Sequence, residues 1–222
     1  MKLKLRKNVM EKICQVITNK TLTSFVIVLL LLLWLNQEVV RGNLDAWDET
    51  FIRWVRHFRQ PGLLEFARFS YISGEAEIVI FFVLGSLSVL FWKRYLKEAQ
   101  VLAISSLGIL LLTDKLLKPL FDRIRPAPGL IDVQGNSYPS GHISGNFMLY
   151  LYISYLISFK FPKLTVYFYS ISIILTCFMG WASLYLQVHW ATDIIAGFCV
   201  GYLAFTLSIF LLKTVDTKYR NF

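Results

Sequence analysis

Three stretches of this chain carry no charge at all: Thr21 to Leu35, Ile78 to Trp92 and Leu164 to Val188. A hydrocarbon core about 30 Å thick is crossed by roughly 20 mostly apolar residues in a helix. Backbone polar groups in lipid must find partners within their own segment, so such blocks fold as helices. Six spans follow, at about 20–39, 75–92, 98–117, 142–159, 163–183 and 191–212. They leave little for a second unit. Residues 1–222 therefore read as a single all-α membrane domain, a six-transmembrane-helix bundle.

The N-terminus has the basic start and apolar core of a secretory signal. Its apolar stretch is long, and Asn36-Gln37-Glu38 is a poor small-residue cleavage site, so the pattern favours a retained first helix. The net charge is +9, but its distribution points to the membrane surface rather than to nucleic acid. With the N-terminus inside, segments 1–20, 93–98, 160–163 and 213–222 hold fourteen of the 23 Lys and Arg, against only Glu11, Glu98 and Asp216. The positive-inside rule then places both termini in the cytoplasm. Three cysteines, Cys14, Cys177 and Cys199, form no C-x-x-C pair, and no metal-ligand cluster stands out. A Cys177–Cys199 disulfide is conceivable but has no support.

Arg41 to Gly74 is the longest outer stretch. Trp47, Phe51, Trp54, Val55 and Phe58 recur at helical spacing with Arg53, Arg56 and Arg59 between them, which reads as an extracytoplasmic interfacial helix. Pro61-Gly62 breaks it, and a second short helix is expected over 63–71. A packing cap on the bundle is the plainer reading; a lid or lipid-access surface is the sharper one. Leu117 to Gly141, with Pro119, Pro126, Pro128, Gly129, Gly135 and Pro139, cannot be one helix and reads as a loop.

The chain has three histidines, and two of them, His142 and His189, fall at the outer ends of spans. Two imidazoles on one face suit acid–base or nucleophilic work, or merely an interface. Lys118, Arg123 and Arg125 fall on that same face, where Lys and Arg are otherwise scarce. Such a set is what a phosphate dianion needs, although a solvated basic loop remains open. Pro139-Ser140-Gly141-His142 opens the fourth span. Ser140 suits an N-cap, Gly141 allows close approach of an anion, and the helix end is electropositive. An ordinary helix start explains the same residues. His189 and Asp193, at i and i+4, share one helical face, so the carboxylate can fix the imidazole tautomer. Asp193 as a simple helix cap is the alternative.

Together these residues resemble the motifs of the type 2 phosphatidic acid phosphatase superfamily, most clearly over residues 110–201. The first motif, Lys-x6-Arg-Pro, is Lys118 to Arg125-Pro126. The second, Pro-Ser-Gly-His, is residues 139–142. The third, Ser-Arg-x5-His-x3-Asp, is incomplete: His189 and Asp193 are present, but Ala182 and Ser183 stand where the family has Ser and Arg. The resemblance implies that His189 is the nucleophile, Asp193 orients it and His142 protonates the leaving oxygen. Lys118, Arg125, Ser140 and the Gly141 N–H would hold the phosphoryl oxygens, with no metal or cofactor. Ser183 offers a hydrogen bond but no charge at the family's clamp position, and Arg123 is a possible stand-in for it.

The implied activity is hydrolysis of a lipid phosphate or pyrophosphate: phosphatidic acid, phosphatidylglycerol phosphate or a polyprenyl pyrophosphate such as undecaprenyl pyrophosphate. A catalytically weak or inactive relative that binds or moves phospholipid is the alternative, with Ser183 its only support. A transporter without phosphatase ancestry would want polar residues spread through several spans, and these are mostly apolar. The expected setting is a bacterial cytoplasmic membrane with the site outside, membrane lipids as surroundings and no nucleic acid. Gly197-x3-Gly201 predicts close helix packing, within the bundle or between protomers; the sequence sets no oligomeric state.

Overall fold

The structure, a computed structural model, describes the backbone of residues 2–215 and the side chains of residues 20–215. All regular structure among them is helical. Helix α1 is Lys2–Val40, α2 Asp45–Arg56, α3 Pro61–Ile72, α4 Ala76–Trp92 and α5 Leu96–Leu110. A π-helical turn, Leu111–Leu117, joins α5 to the short α6, Lys118–Phe121. Then come α7, Gly141–Lys160, α8, Thr165–Tyr185, and α9, Ala191–Val215.

Each of the six expected spans is a helix, yet by length and apolarity only four described segments qualify to cross a membrane: Lys20–Val40, Leu96–Phe121, Pro162–Tyr185 and Ala191–Val215. A fifth qualifies if α3 and α4, bent by 47° at their junction, count as one. Helix α7 falls outside this set for a physical reason. It is the hub of the bundle, packed on α4, α5, α8 and α9. A helix sheathed in protein can afford Ser144, Asn146, Ser154 and Ser158, all buried, where a lipid-facing helix cannot. Helix α4 is the opposite case: it buries no residue, and Phe81, Leu84, Phe91 and Trp92 are exposed.

The α7–α9 contact depends on two glycines. A Cβ on Gly201 would lie 2.7 Å from the Ser144 carbonyl oxygen, and one on Gly197 would lie 2.9 Å from the Ile143 Cβ and 3.0 Å from the Ser140 carbonyl oxygen. The Gly-x3-Gly thus works inside the bundle, bringing the start of α7 against the start of α9. Cys177 and Cys199 are free thiols.

Two boundaries differ from the sequence reading. Lys118 is helical rather than in a loop, because the chain stays helical past the π turn and ends at Asp122, whose φ of 44° closes α6. Pro61 begins α3 rather than only breaking α2, as its missing N–H is no loss in a first turn.

The apolar stripe of α2 is divided between two faces: Val55 is buried and Phe51 packs against the core, while Trp47, Trp54 and Phe58 are exposed. Its inner face is Asp48, Ile52 and Val55, all buried against α8 and α9. Trp47, Phe51, Trp54 and Phe58 instead form a ladder with ring centroids 5.6, 5.6 and 4.9 Å apart. Trp47, Trp54 and Phe58 are about half exposed. Packing is done by the narrower face, and most of the broad aromatic face is left for whatever surrounds the protein.

Candidate active site

The loop from Asp122 to Ser140, the turn between α8 and α9, and the starts of α7 and α9 converge at one end of the bundle. Ser140 caps α7, its hydroxyl accepting from the Ile143 N–H at 3.5 Å, and its own N–H donates to the Asp193 carbonyl at 3.1 Å. The Pro-Ser-Gly-His turn is thereby tied to the first turn of α9. On its other side, a Cβ on Gly141 would lie 3.6 Å from the Lys118 Nζ, so the ammonium group stands next to the start of α7. Lys118 in turn pairs with Asp114 one turn back, Nζ to Oδ1 2.5 Å. The pairing leaves Lys115 out of that contact.

The His189–Asp193 pair forms, but not on one helical face: His189 lies in the turn two residues before α9, and Asp193 in the first turn of that helix. The Nδ1 of His189 lies 3.4 Å from the Asp193 Oδ2, and both side chains are buried. The same Oδ2 accepts the Trp190 N–H at 2.8 Å. A carboxylate facing Nδ1 favours the tautomer with the proton there, which leaves the Nε2 lone pair free. That Nε2 lies 3.4 Å from the Arg125 Nη1. Burial pushes the His189 imidazole below its ordinary range, although Asp193 opposes the shift.

Apart from that contact with His189, Arg125 is held by backbone carbonyls. It donates to the carbonyls of Val188 at 2.6 Å, Gly135 at 3.0 Å and Asn136 at 3.2 Å. Those oxygens carry no net charge, so the guanidinium keeps its own. Arg123, two residues earlier, is in a different situation. Its Nη1 donates to Asp193 Oδ1 at 2.8 Å and Thr192 Oγ1 at 2.6 Å; its Nη2 donates to Asp48 Oδ2 at 2.7 Å and Asp45 Oδ1 at 3.2 Å. Burial works against its charge, but Asp193 and Asp48 outweigh that and hold it above the ordinary arginine value.

His142 lies at the first turn of α7, its ring stacked on Tyr71 of α3 with centroids 4.4 Å apart and planes 20° from parallel. It is close enough to His189, Lys118 and Arg125 to interact with all three electrostatically. Its Nε2 is buried without a protein hydrogen bond. Ser183 is fully buried, and its hydroxyl donates to the Met179 carbonyl of its own helix at 2.9 Å. The structure thus gathers His189, Asp193, His142, Lys118, Arg125, Ser140 and Gly141 at one end of the bundle. It gives Arg123 to the carboxylates, and ties the Ser183 hydroxyl to α8.

Sequence reasoning missed Asp48, Thr192 and Tyr71. Asp48 is wholly buried; its Oδ1 accepts the Thr192 N–H at 3.0 Å and its Oδ2 the Thr192 hydroxyl at 2.5 Å. The signal was available: positions 48, 52 and 55 share a helical face, and a carboxylate in line with Ile52 and Val55 demands a partner. Tyr71 carried no comparable mark. Among the described residues, no group of three or more His, Cys, Asp or Glu is placed to hold a metal ion.

Comparison with known proteins places this arrangement. The model of the PAP2 superfamily matches residues 19–216. Phosphatidylglycerophosphatase B of Bacillus subtilis is 28% identical over 181 residues, which cover 79% of this chain and 86% of that protein. The crystal structure of a transmembrane PAP2-type phosphatidylglycerolphosphate phosphatase from Bacillus subtilis superposes with a TM-score of 0.78 at 26% identity, over 87% of this chain and 96% of that one. LpxE of Aquifex aeolicus shares the fold, with a TM-score of 0.59 at 21% identity over 71% of this chain and 92% of that one.

Proposed function

Because the chain belongs to the PAP2 superfamily, we propose that it is an integral-membrane phosphatase that removes phosphate from a lipid phosphate or pyrophosphate through a phosphohistidine. The observation that carries this reading is the buried dyad of His189 and Asp193, with the Arg125 guanidinium at the free imidazole nitrogen. In the first step the Nε2 of His189 attacks phosphorus, and the bond from phosphorus to the lipid oxygen breaks. His142 gives that oxygen a proton. Water then attacks the phosphohistidine, giving a proton back to His142 as the bond between phosphorus and Nε2 breaks; phosphate leaves and His189 is regenerated. Arg125, Lys118 and the N–H groups at the start of α7 stabilise the charge on the transferring phosphoryl oxygens.

Phosphatidylglycerol phosphate is the first substrate to assay, given the names of the similar Bacillus proteins. Phosphatidic acid and a polyprenyl pyrophosphate complete the panel. The purified protein in detergent is expected to release phosphate from at least one of the three, to keep doing so with a chelator present, and to form an acid-labile phosphoenzyme. Release of none by an intact preparation would defeat the reading. It would favour the second one, a weak or inactive lipid-binding relative, whose support is that Ser183 spends its hydroxyl on its own helix.

From the Lys and Arg distribution we further propose six crossings of a bacterial cytoplasmic membrane, with the site outside, both termini inside and the aromatic ladder of α2 in the interfacial layer. A cysteine at Gly135 should then react with an impermeant thiol reagent in intact cells. Reaction only after lysis would reverse the orientation.

A further inference from the structure

Asp48 lies on α2, outside the three sequence motifs, yet it is bonded to the catalytic end of α9 by two routes. One is direct: its carboxylate accepts both the N–H and the hydroxyl of Thr192, the residue before Asp193. The other runs through Arg123, which bridges Asp48 Oδ2 and Asp193 Oδ1. Asp193 uses its remaining oxygen, Oδ2, for His189 Nδ1 and the Trp190 N–H. We propose that Asp48 and Arg123 are positioning residues that act through Asp193 to set the orientation and basicity of His189, and that Arg123 is not a phosphate clamp. This rests on His189 being the reactive group, as in the function proposed above.

The physical argument concerns how one cation is shared among carboxylates: the buried Asp193 and Asp48, and the more exposed Asp45. Arg123 partly neutralises Asp193, which weakens the hold of Asp193 on an imidazolium. Asp48 competes for the same guanidinium and limits that neutralisation. Removing Arg123 therefore leaves Asp193 more negative, and His189 binds its proton more tightly. Removing the Asp48 charge leaves Arg123 more fully on Asp193, and His189 releases its proton more readily. Opposite shifts from two neighbouring residues are not what general loosening produces. The other charged or titratable groups that act on His189 are Lys118 and Arg125, with His142 beside them.

The test uses the full chain in detergent, with histidine-labelled protein for NMR and dioctanoyl phosphatidic acid as the kinetic probe. Arg123→Gln should move the His189 titration to higher pH, and Asp48→Asn should move it to lower pH. In both, kcat should fall by about 10- to 100-fold, as expected for slight misplacement of a reacting group, with KM little changed. Should Arg123→Gln fail to fold, Arg123→Lys serves. One ammonium cannot span Asp193, Thr192 and Asp48 together, so kcat falls while the titration barely moves. Shifts of the same sign, no shift in either variant, or a rise in KM that accounts for the whole loss on changing Arg123 would each overturn the proposal. A wild type that leaves the probe intact would count against the phosphatase reading, while the NMR titrations would still decide the positioning relay.

Discussion

Arg123 and Arg125 stand two residues apart in one loop and meet different fates. Arg123 is enclosed by Asp45, Asp48 and Asp193, so its charge is spent before any substrate arrives. Arg125 is held by neutral carbonyls and faces the free nitrogen of His189. Both are fixed firmly, and the difference lies only in whether the anchors carry charge. An arginine held by neutral carbonyls keeps more of its charge for a phosphoryl group than one balanced by three carboxylates. Lys118, paired with the single carboxylate of Asp114, lies between the two. The different roles proposed for the two arginines follow from their surroundings and not from the side chains themselves.

The largest effect expected from breaking this pair of corners is at the group both serve. His189→Ala should abolish phosphate release, since Arg125 and Asp193 would then flank nothing that can be phosphorylated; measurable turnover in the purified variant would remove the nucleophile from the scheme.

Next is the contrast between the arginines. Arg125→Ala should cost roughly 10²–10³ in kcat/KM, the usual loss for one transition-state donor. Arg123→Ala should show a different signature: a loss in kcat together with a lower melting temperature. Asp48 and Asp193 would keep their hydrogen bonds to Thr192, His189 and Trp190 but be left buried without their counter-charge, a defect of up to about 3–5 kcal/mol. Steady-state kinetics with thermal unfolding of both variants checks this, and equal melting temperatures would erase the distinction.

The pH profile should show a smaller effect. Burial holds His189 below its ordinary value, so the neutral nucleophile persists into mild acid. The acid limb of kcat/KM should therefore lie below about 6.5, the unperturbed histidine value. The same sign governs stability. The unfolded chain takes up this proton at a higher pH than the folded dyad, so the contribution is complete above about 6.5 and declines as pH falls through that value. A limb well above 6.5 would mean that Asp193, not burial, dominates.

The smallest effect is expected at Ser183. Its hydroxyl is occupied by the Met179 carbonyl and its side chain is wholly buried, so Ser183→Arg should give no gain in phosphate release. A clear gain would show that a third cation is missing from the Arg125 corner.

The sequence by itself determined the helices and the closeness of His189 to Asp193. Apolar runs must become helices in lipid, whichever neighbours they find. His189 and Asp193 meet within five residues of chain, although His189 lies in the turn before α9 and not on the helix: Asp193, in the first turn of α9, folds back onto the Trp190 N–H and the imidazole. The Pro-Ser-Gly-His turn likewise carried its own cap. Only the tertiary structure decided that α7 is the sheathed hub, because burial depends on what surrounds a helix and not on its own period. It alone turned most of the aromatic face of α2 outward and put Asp48 on α9, since Asp48 and Thr192 are 144 positions apart in the chain. And it alone separated Arg123 from Arg125. An arginine's role follows from the charges packed around it, and those come from helices far away in the sequence.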